Sequence, residues 1–133
     1  MNEFEFEDGI WKHGLPVIDT DGNEGIDWQV VPITVVPISV LLQEWEDLVH
    51  ELSEKEVKLA ELDELYHGKE FDIVYTSDID FKSLYGSTAE KVRKQHAKDE
   101  LRELNDEISA LELSIVWIKN YISLLREVIR VKQ

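Results

Sequence analysis

The chain has 133 residues, a length that suits one domain, and carries 14 Lys+Arg against 29 Asp+Glu, a formal charge of −15. That balance disfavours nucleic acid or an anionic membrane as a partner across any broad surface, and makes a positively charged protein the easier one. With no cysteine, disulfides and thiolate chemistry are excluded, which fits a reducing compartment.

Met1 to Asp8 alternates Glu and Phe where a signal peptide needs a basic start and an apolar run, so a cytoplasmic protein is expected. The longest nearly uncharged stretch, Trp28 to Gln43, contains Pro32 and Pro37. A membrane span needs roughly 20 apolar residues and tolerates interior proline poorly, so none is expected there.

Residues 1–36 form an N-terminal arm that holds four of the six glycines and two of the three prolines. This composition suits turns and short strands. Leu15–Thr20 and Asn23–Val31 flank Asp21-Gly22, a pair that favours a two-residue hairpin turn with positive φ at both positions. An isolated hairpin is marginal in water, so it is expected to dock on the helices through Trp11, Ile18, Ile26 and Trp28 or to order on a partner. Trp11 and Trp28 are therefore candidate partner contacts. Asp19, Asp21, Asn23 and Asp27 stand at spacings reminiscent of a calcium loop, but Glu24 replaces the glycine of the sharp turn and Val30 the closing bidentate Glu. A solvated acidic turn is the preferred interpretation, with no metal and no cofactor.

Val30–Pro37 is expected to be an extended connector, because each proline pushes its predecessor away from helical geometry. Residues 37–133 then read as a helical hairpin. Ile38, Leu41, Trp45, Leu48, Leu52, Leu59, Leu62 and Tyr66 form a heptad seam interrupted by Lys55, which predicts a helix over 39–67 stopped by Gly68. Lys55 is either a snorkelling stem, the preferred choice, or a polar residue that sets register. The helix is strongly acidic, and Glu44, Glu51 and Glu54 are candidate contacts for a basic partner.

The connector 68–86 is expected to hold an extended piece at Phe71, Ile73 and Tyr75, then a short helix capped by Ser77 and ended by Gly86. Ser87 and Glu90 match the S-x-x-E capping box and open a long helix over 88–131. Its seam is unbroken: Leu101, Leu104, Ile108, Leu111, Ile115, Ile118, Ile122, Leu125 and Ile129. Beyond Leu111 further apolar residues lie off the seam, at Leu113, Val116, Trp117, Tyr121, Leu124, Val128 and Val131. One partner helix cannot cover both faces. Self-association, as a homodimer or higher oligomer with Trp117 and Leu124 in the contact, is the expected solution, and docking of residues 10–36 the competing one.

Lys91, Arg93, Lys94 and Lys98 give residues 91–98 four positive charges and no negative one. Antiparallel folding would bring Glu61, Asp63 and Glu64 near them. That pairing is preferred over contact of this run with an anion or nucleic acid. His13, His50, His67 and His96 are far apart and show no H-x-x-x-H spacing, and phosphate-binding glycine loops are absent. No enzyme is expected.

Asp80-Phe81-Lys82-Ser83-Leu84-Tyr85-Gly86, followed by Glu90-Lys91-Val92-Arg93-Lys94-Gln95-His96 and the long Leu/Ile helix, resembles small proteins encoded by tailed phages and prophages of Gram-positive bacteria. The similarity covers roughly residues 75–131. It implies a phage product acting in the host cytoplasm, on a host or phage protein. Three functions are then in view: a self-associating coiled-coil interaction module, an acidic inhibitor of a basic nucleic-acid-binding site, and a nucleic-acid accessory factor using Lys91–Lys98.

Overall fold

The computed structural model describes residues 3–133. In chain order it contains β1 (Glu3–Glu7), β2 (Ile10–Ile18), β3 (Glu24–Val31), a 3-10 turn (Ile33–Val35), α1 (Ile38–Phe71), a π turn (Asp72–Thr76), α2 (Phe81–Tyr85), α3 (Glu90–Glu100) and α4 (Arg102–Lys132). The protein is mainly helical, with a small three-stranded antiparallel sheet at its N-terminus in the order β1-β2-β3. The chain forms two compact units, one from residues up to His50 together with Asn120–Gln133, the other from Glu51–Lys119.

The sheet has one strand more than the expected hairpin. Glu and Phe alternate through β1 with the period of a strand, so Phe4 and Phe6 share one face and the glutamates the other. β1 pairs with β2 in the register Phe4↔His13 and Phe6↔Trp11. The turn between them is Asp8-Gly9, with φ of 52° and 81°, the geometry first assigned to Asp21-Gly22.

At Asp21-Gly22 the expected two-residue turn gives way to a longer loop. Asp19 accepts the Gly22 N–H at 3.1 Å and donates its own N–H to the Asn23 carbonyl at 3.0 Å, and only Gly22 is left-handed, at φ 83°. The cause is the Asp19 side chain, whose Oδ1 accepts the N–H groups of Asp21 (2.9 Å) and Asn23 (2.8 Å). These bonds favour a loop of three residues, Thr20 to Gly22, over one of two. The expected extended connector also differs, since Val35 and Val36 donate to the Pro32 and Ile33 carbonyls and form the 3-10 turn.

α1 runs past its expected end, with Gly68 inside it and not left-handed. A glycine in a helix interior costs only ~1 kcal/mol relative to alanine, too little to stop a helix whose flanks continue it. Phe71, Ile73 and Tyr75 are consequently in the last helical turn and the π turn, not in an extended piece. The π turn closes where Thr76 Oγ1 and Ser77 Oγ donate to the Asp72 and Ile73 carbonyls, at 3.0 and 2.7 Å. The cap of α2 is then Asp80, which accepts the Ser83 N–H at 3.1 Å, and Gly86, at φ 72°, ends that helix.

The S-x-x-E box does not form. Ser87 Oγ accepts the Ala89 N–H at 3.1 Å, while the Glu90 carboxylate is drawn to Tyr75 Oη (2.5 Å) and Lys94 Nζ (3.2 Å). The expected 88–131 helix is also divided at Leu101, whose ψ of 18° departs from the helical value. The hydrogen-bond ladder nonetheless continues through it, from the Leu101 N–H to Ala97 and from the Asn105 N–H to Leu101, each at 2.9 Å.

Each unit has its own apolar centre. In the first it comprises Trp11, Val36, Leu41, Leu48, Ile122, Leu125 and Ile129, and in the second Val74, Phe81, Ala97, Leu101, Ile108, Ile115 and Ile118. The seam from Leu101 to Ile129 is thus buried or half-buried at every position, Leu104 and Leu111 being the half-buried ones.

Candidate interaction surfaces

The inner face of the sheet is built around Trp11. Period-2 alternation places Phe4, Phe6, Trp11 and His13 on one side. Phe4 stacks on His13 at 4.5 Å between ring centroids, and Phe6 stacks on Tyr121 of α4 at 4.4 Å. The Trp11 indole N–H donates to the Tyr121 hydroxyl at 2.5 Å, and Trp11 is only 4% exposed. This overturns its assignment as a partner contact: its ring fills the molecule's own core. Burial pushes the Tyr121 hydroxyl up to about 12; the Trp11 hydrogen bond pulls the other way and Glu44 adds to the rise. Of the four residues expected to dock the arm on the helices, Trp11 is buried, whereas Ile18 and Ile26 are exposed.

The outer face carries Trp28, half-buried, with Ile18, Ile26 and Val30 exposed around it. Gly14 lies beneath: a Cβ there would stand 2.9 Å from Trp28 Cη2 and from Ile26 Cγ2, so only glycine lets these side chains lie flat across β2. Ile18, Gly25 and Ile26 also line a shallow cavity at the hairpin tip, with Pro16, Val17 and Glu24.

α4 provides a second apolar surface. Leu113, Val116, Trp117, Leu124 and Val131 are all exposed, Leu113 by 72%, although Tyr121 in the same helix is covered by Phe6 and Trp11. Within the first unit the arm thus covers Tyr121 and leaves Leu124 about half-exposed; Trp117, in the second unit, is about half-exposed as well. Among the described residues, α4 is also the one helix long and apolar enough to cross a membrane by length and composition, with 28% of its most apolar window buried.

The basic run is held locally. Lys94 pairs with Glu90, and Arg93 donates to the Val74 carbonyl at 3.1 Å with its guanidinium 5.5 Å from the Phe81 ring centroid. The Glu90 carboxyl is held below the usual range, first by the Tyr75 hydroxyl and then by Lys94. Arg93 is thereby committed to packing, which corrects its assignment as an anion contact, while Lys91 and Lys98 are exposed. His96 sits between Phe81 and Tyr85, its Nδ1 2.5 Å from the Tyr85 hydroxyl.

On α1, Glu54 is exposed, Glu44 is half-buried, and Glu51 pairs with Lys55 at 3.1 Å. Lys55 Nζ also donates to Ser114 Oγ at 2.6 Å. The lysine is therefore bonded across to another helix as well as to its own. Asp19, the first residue of the calcium-like spacing, is occupied by its own turn, and the backbone N–H of Asn23 holds its carboxyl below the usual value. Among the described residues no group of three or more His, Asp or Glu side chains converges as a metal site would require.

No family model, curated protein or solved structure matches this chain.

Proposed function

We propose that this protein is a non-enzymatic interaction module that associates with itself through α4 and presents an acidic surface to a basic protein partner. The observation that carries the reading is the row Leu113, Val116, Trp117 and Leu124, which stays exposed beside a fully used seam. Clustered apolar surface of this kind is characteristic of protein contacts. The acidic half of the proposal is supported by the net charge of −15 and by the exposed carboxylates of α1.

The finer architecture belongs to the same proposal. α1 and α4 pair as an antiparallel coiled-coil hairpin, a reading supported by the Lys55–Ser114 hydrogen bond and by the matching rows of buried and half-buried seam residues on the two helices. In this setting Lys55 acts as the polar seam residue that sets register. The cytoplasm of a phage-infected bacterium is the proposed location, on the resemblance of residues 75–131.

Size-exclusion chromatography with light scattering tests the self-association. A mass above one chain, falling toward one chain in the Trp117→Ala/Leu124→Ala double variant, is expected. A single-chain mass for the wild type at every concentration would remove this half of the proposal.

A further inference from the structure

The sheet has an edge that the helix surface does not account for. In the order β1-β2-β3, β3 has among the described residues a paired neighbour on one side only. The ladder phase follows from the Asp19 N–H, which bonds the Asn23 carbonyl. Antiparallel pairs alternate between bonded and non-bonded, so Gly25, Asp27, Gln29 and Val31 bond β2. The N–H and C=O groups of Glu24, Ile26, Trp28 and Val30 point the other way, toward the open edge. Pro16 agrees with this phase, since it stands opposite Ile26, a pair in which β2 makes no bond to β3 and a missing N–H is tolerated.

Side chains of those four residues lie on the outer face, and three of them are apolar: Ile26 is 48% exposed, Val30 70%, and Trp28 leans across Gly14. Long edges are ordinarily blunted by lysine, proline, a bulge or a covering segment. β1, on the opposite edge, is five residues long with three glutamates, whereas β3 runs for eight residues with Glu24 and Asp27 as its only charges.

We propose that β3 accepts an extended segment of a basic partner protein as a fourth strand, in which apolar residues alternate with Lys or Arg. The apolar positions sit beside Ile26, Trp28 and Val30 on the outer face. The cations face Asp27 on the inner side, with Glu24 at the strand end. Charge selects this occupant over a second copy of the chain. The sheet and its turns carry Glu3, Glu5, Glu7, Asp8, Asp19, Asp21, Glu24 and Asp27 against Lys12 alone, His13 being counted neutral. A copy would bring the same carboxylates to a contact where like charges repel. Main-chain bonding supplies affinity in such strand addition, and the alternating side chains supply selectivity. The inference rests on the partner-binding half of the proposed function and is independent of self-association through α4.

The test uses the full chain and a capped eight-residue peptide alternating Val and Lys, with a Val/Glu peptide as control. Amide hydrogen exchange read by NMR should slow by about tenfold or more at Ile26, Trp28 and Val30 with the Val/Lys peptide alone. Ile26→Pro removes one outward N–H without touching the β2 ladder and should weaken binding about tenfold. Ile26→Lys, which leaves the backbone intact, should weaken it too, and circular dichroism checks that both variants keep the fold. Unchanged exchange with the Val/Lys peptide, or an equal response to Val/Glu, overturns the proposal. Protection of these amides without peptide, lost together with oligomer mass in Ile26→Pro, assigns the edge to a second copy and also overturns it. Failure of peptide binding beside a Trp117-dependent oligomer mass would leave self-association standing.

Discussion

The two faces of the small sheet are made by the same alternation, yet one is core and the other is surface. Each presents a tryptophan with aromatic or aliphatic neighbours. Trp11 has Tyr121 to bond and Phe6 beside it, and is buried. Trp28 lies over Gly14, beside Ile26, and remains half-exposed. The difference teaches that a strand's period determines which residues travel together, while burial depends on whether another element meets that face.

The largest expected effect separates the two tryptophans. Trp11→Ala should cost about 3–5 kcal/mol in chemical denaturation, as large aromatic truncations in a core do, and Trp28→Ala about 1 kcal/mol or less. Equal losses would break the comparison. Gly14→Ala comes next, because the added Cβ displaces Trp28 and Ile26; a loss of about 1–2 kcal/mol with an altered near-ultraviolet dichroism spectrum is expected. Trp11→Phe keeps a ring but leaves the Tyr121 hydroxyl without its indole donor, for about 1 kcal/mol.

Alkaline titration sharpens the same contrast. The Tyr121 hydroxyl is raised to about 12 in the folded protein, above the ordinary phenol value of about 10. Below the lower value both folded and unfolded chains are protonated, so the stability is fully present. Between the two values the unfolded chain loses its proton first, and stability falls as pH rises. Tyr121→Phe should remove this part of the pH dependence, read by denaturation across that window. The smallest effect belongs to Val30→Thr on the outer face, within about 0.5 kcal/mol in the same denaturation assay.

Much of the helical part was legible because heptad spacing extends over many residues. All nine seam positions from Leu101 to Ile129 are buried or half-buried. The boundaries were less legible, since their signals are single residues in competition with their surroundings. Gly68 lost to a long helix, and the Ser87–Glu90 box lost to Tyr75, which lies near Glu90 only after folding. β1 carries a readable local signal, the Glu-Phe alternation followed by Asp8-Gly9. Among the candidate site residues, the place of Trp117 and Leu124 off the seam followed from helical spacing. The burial of Trp11 did not, because Tyr121 stands 110 residues away.

By itself the sequence determined what repeats: the apolar rows of α1 and α4, the strand alternation, the acidic balance and the glycines at Gly9, Gly22 and Gly86. Each of these follows from local geometry, in which a residue's neighbours along the chain decide its face or its φ. Only the tertiary structure decided that Trp11 meets Tyr121, that Lys55 bonds Ser114, that Arg93 is held by Val74 and Phe81, and that β3 has β2 as its one paired neighbour among the described residues. Those outcomes depend on groups distant in sequence arriving at bonding distance, and no periodicity encodes such a meeting.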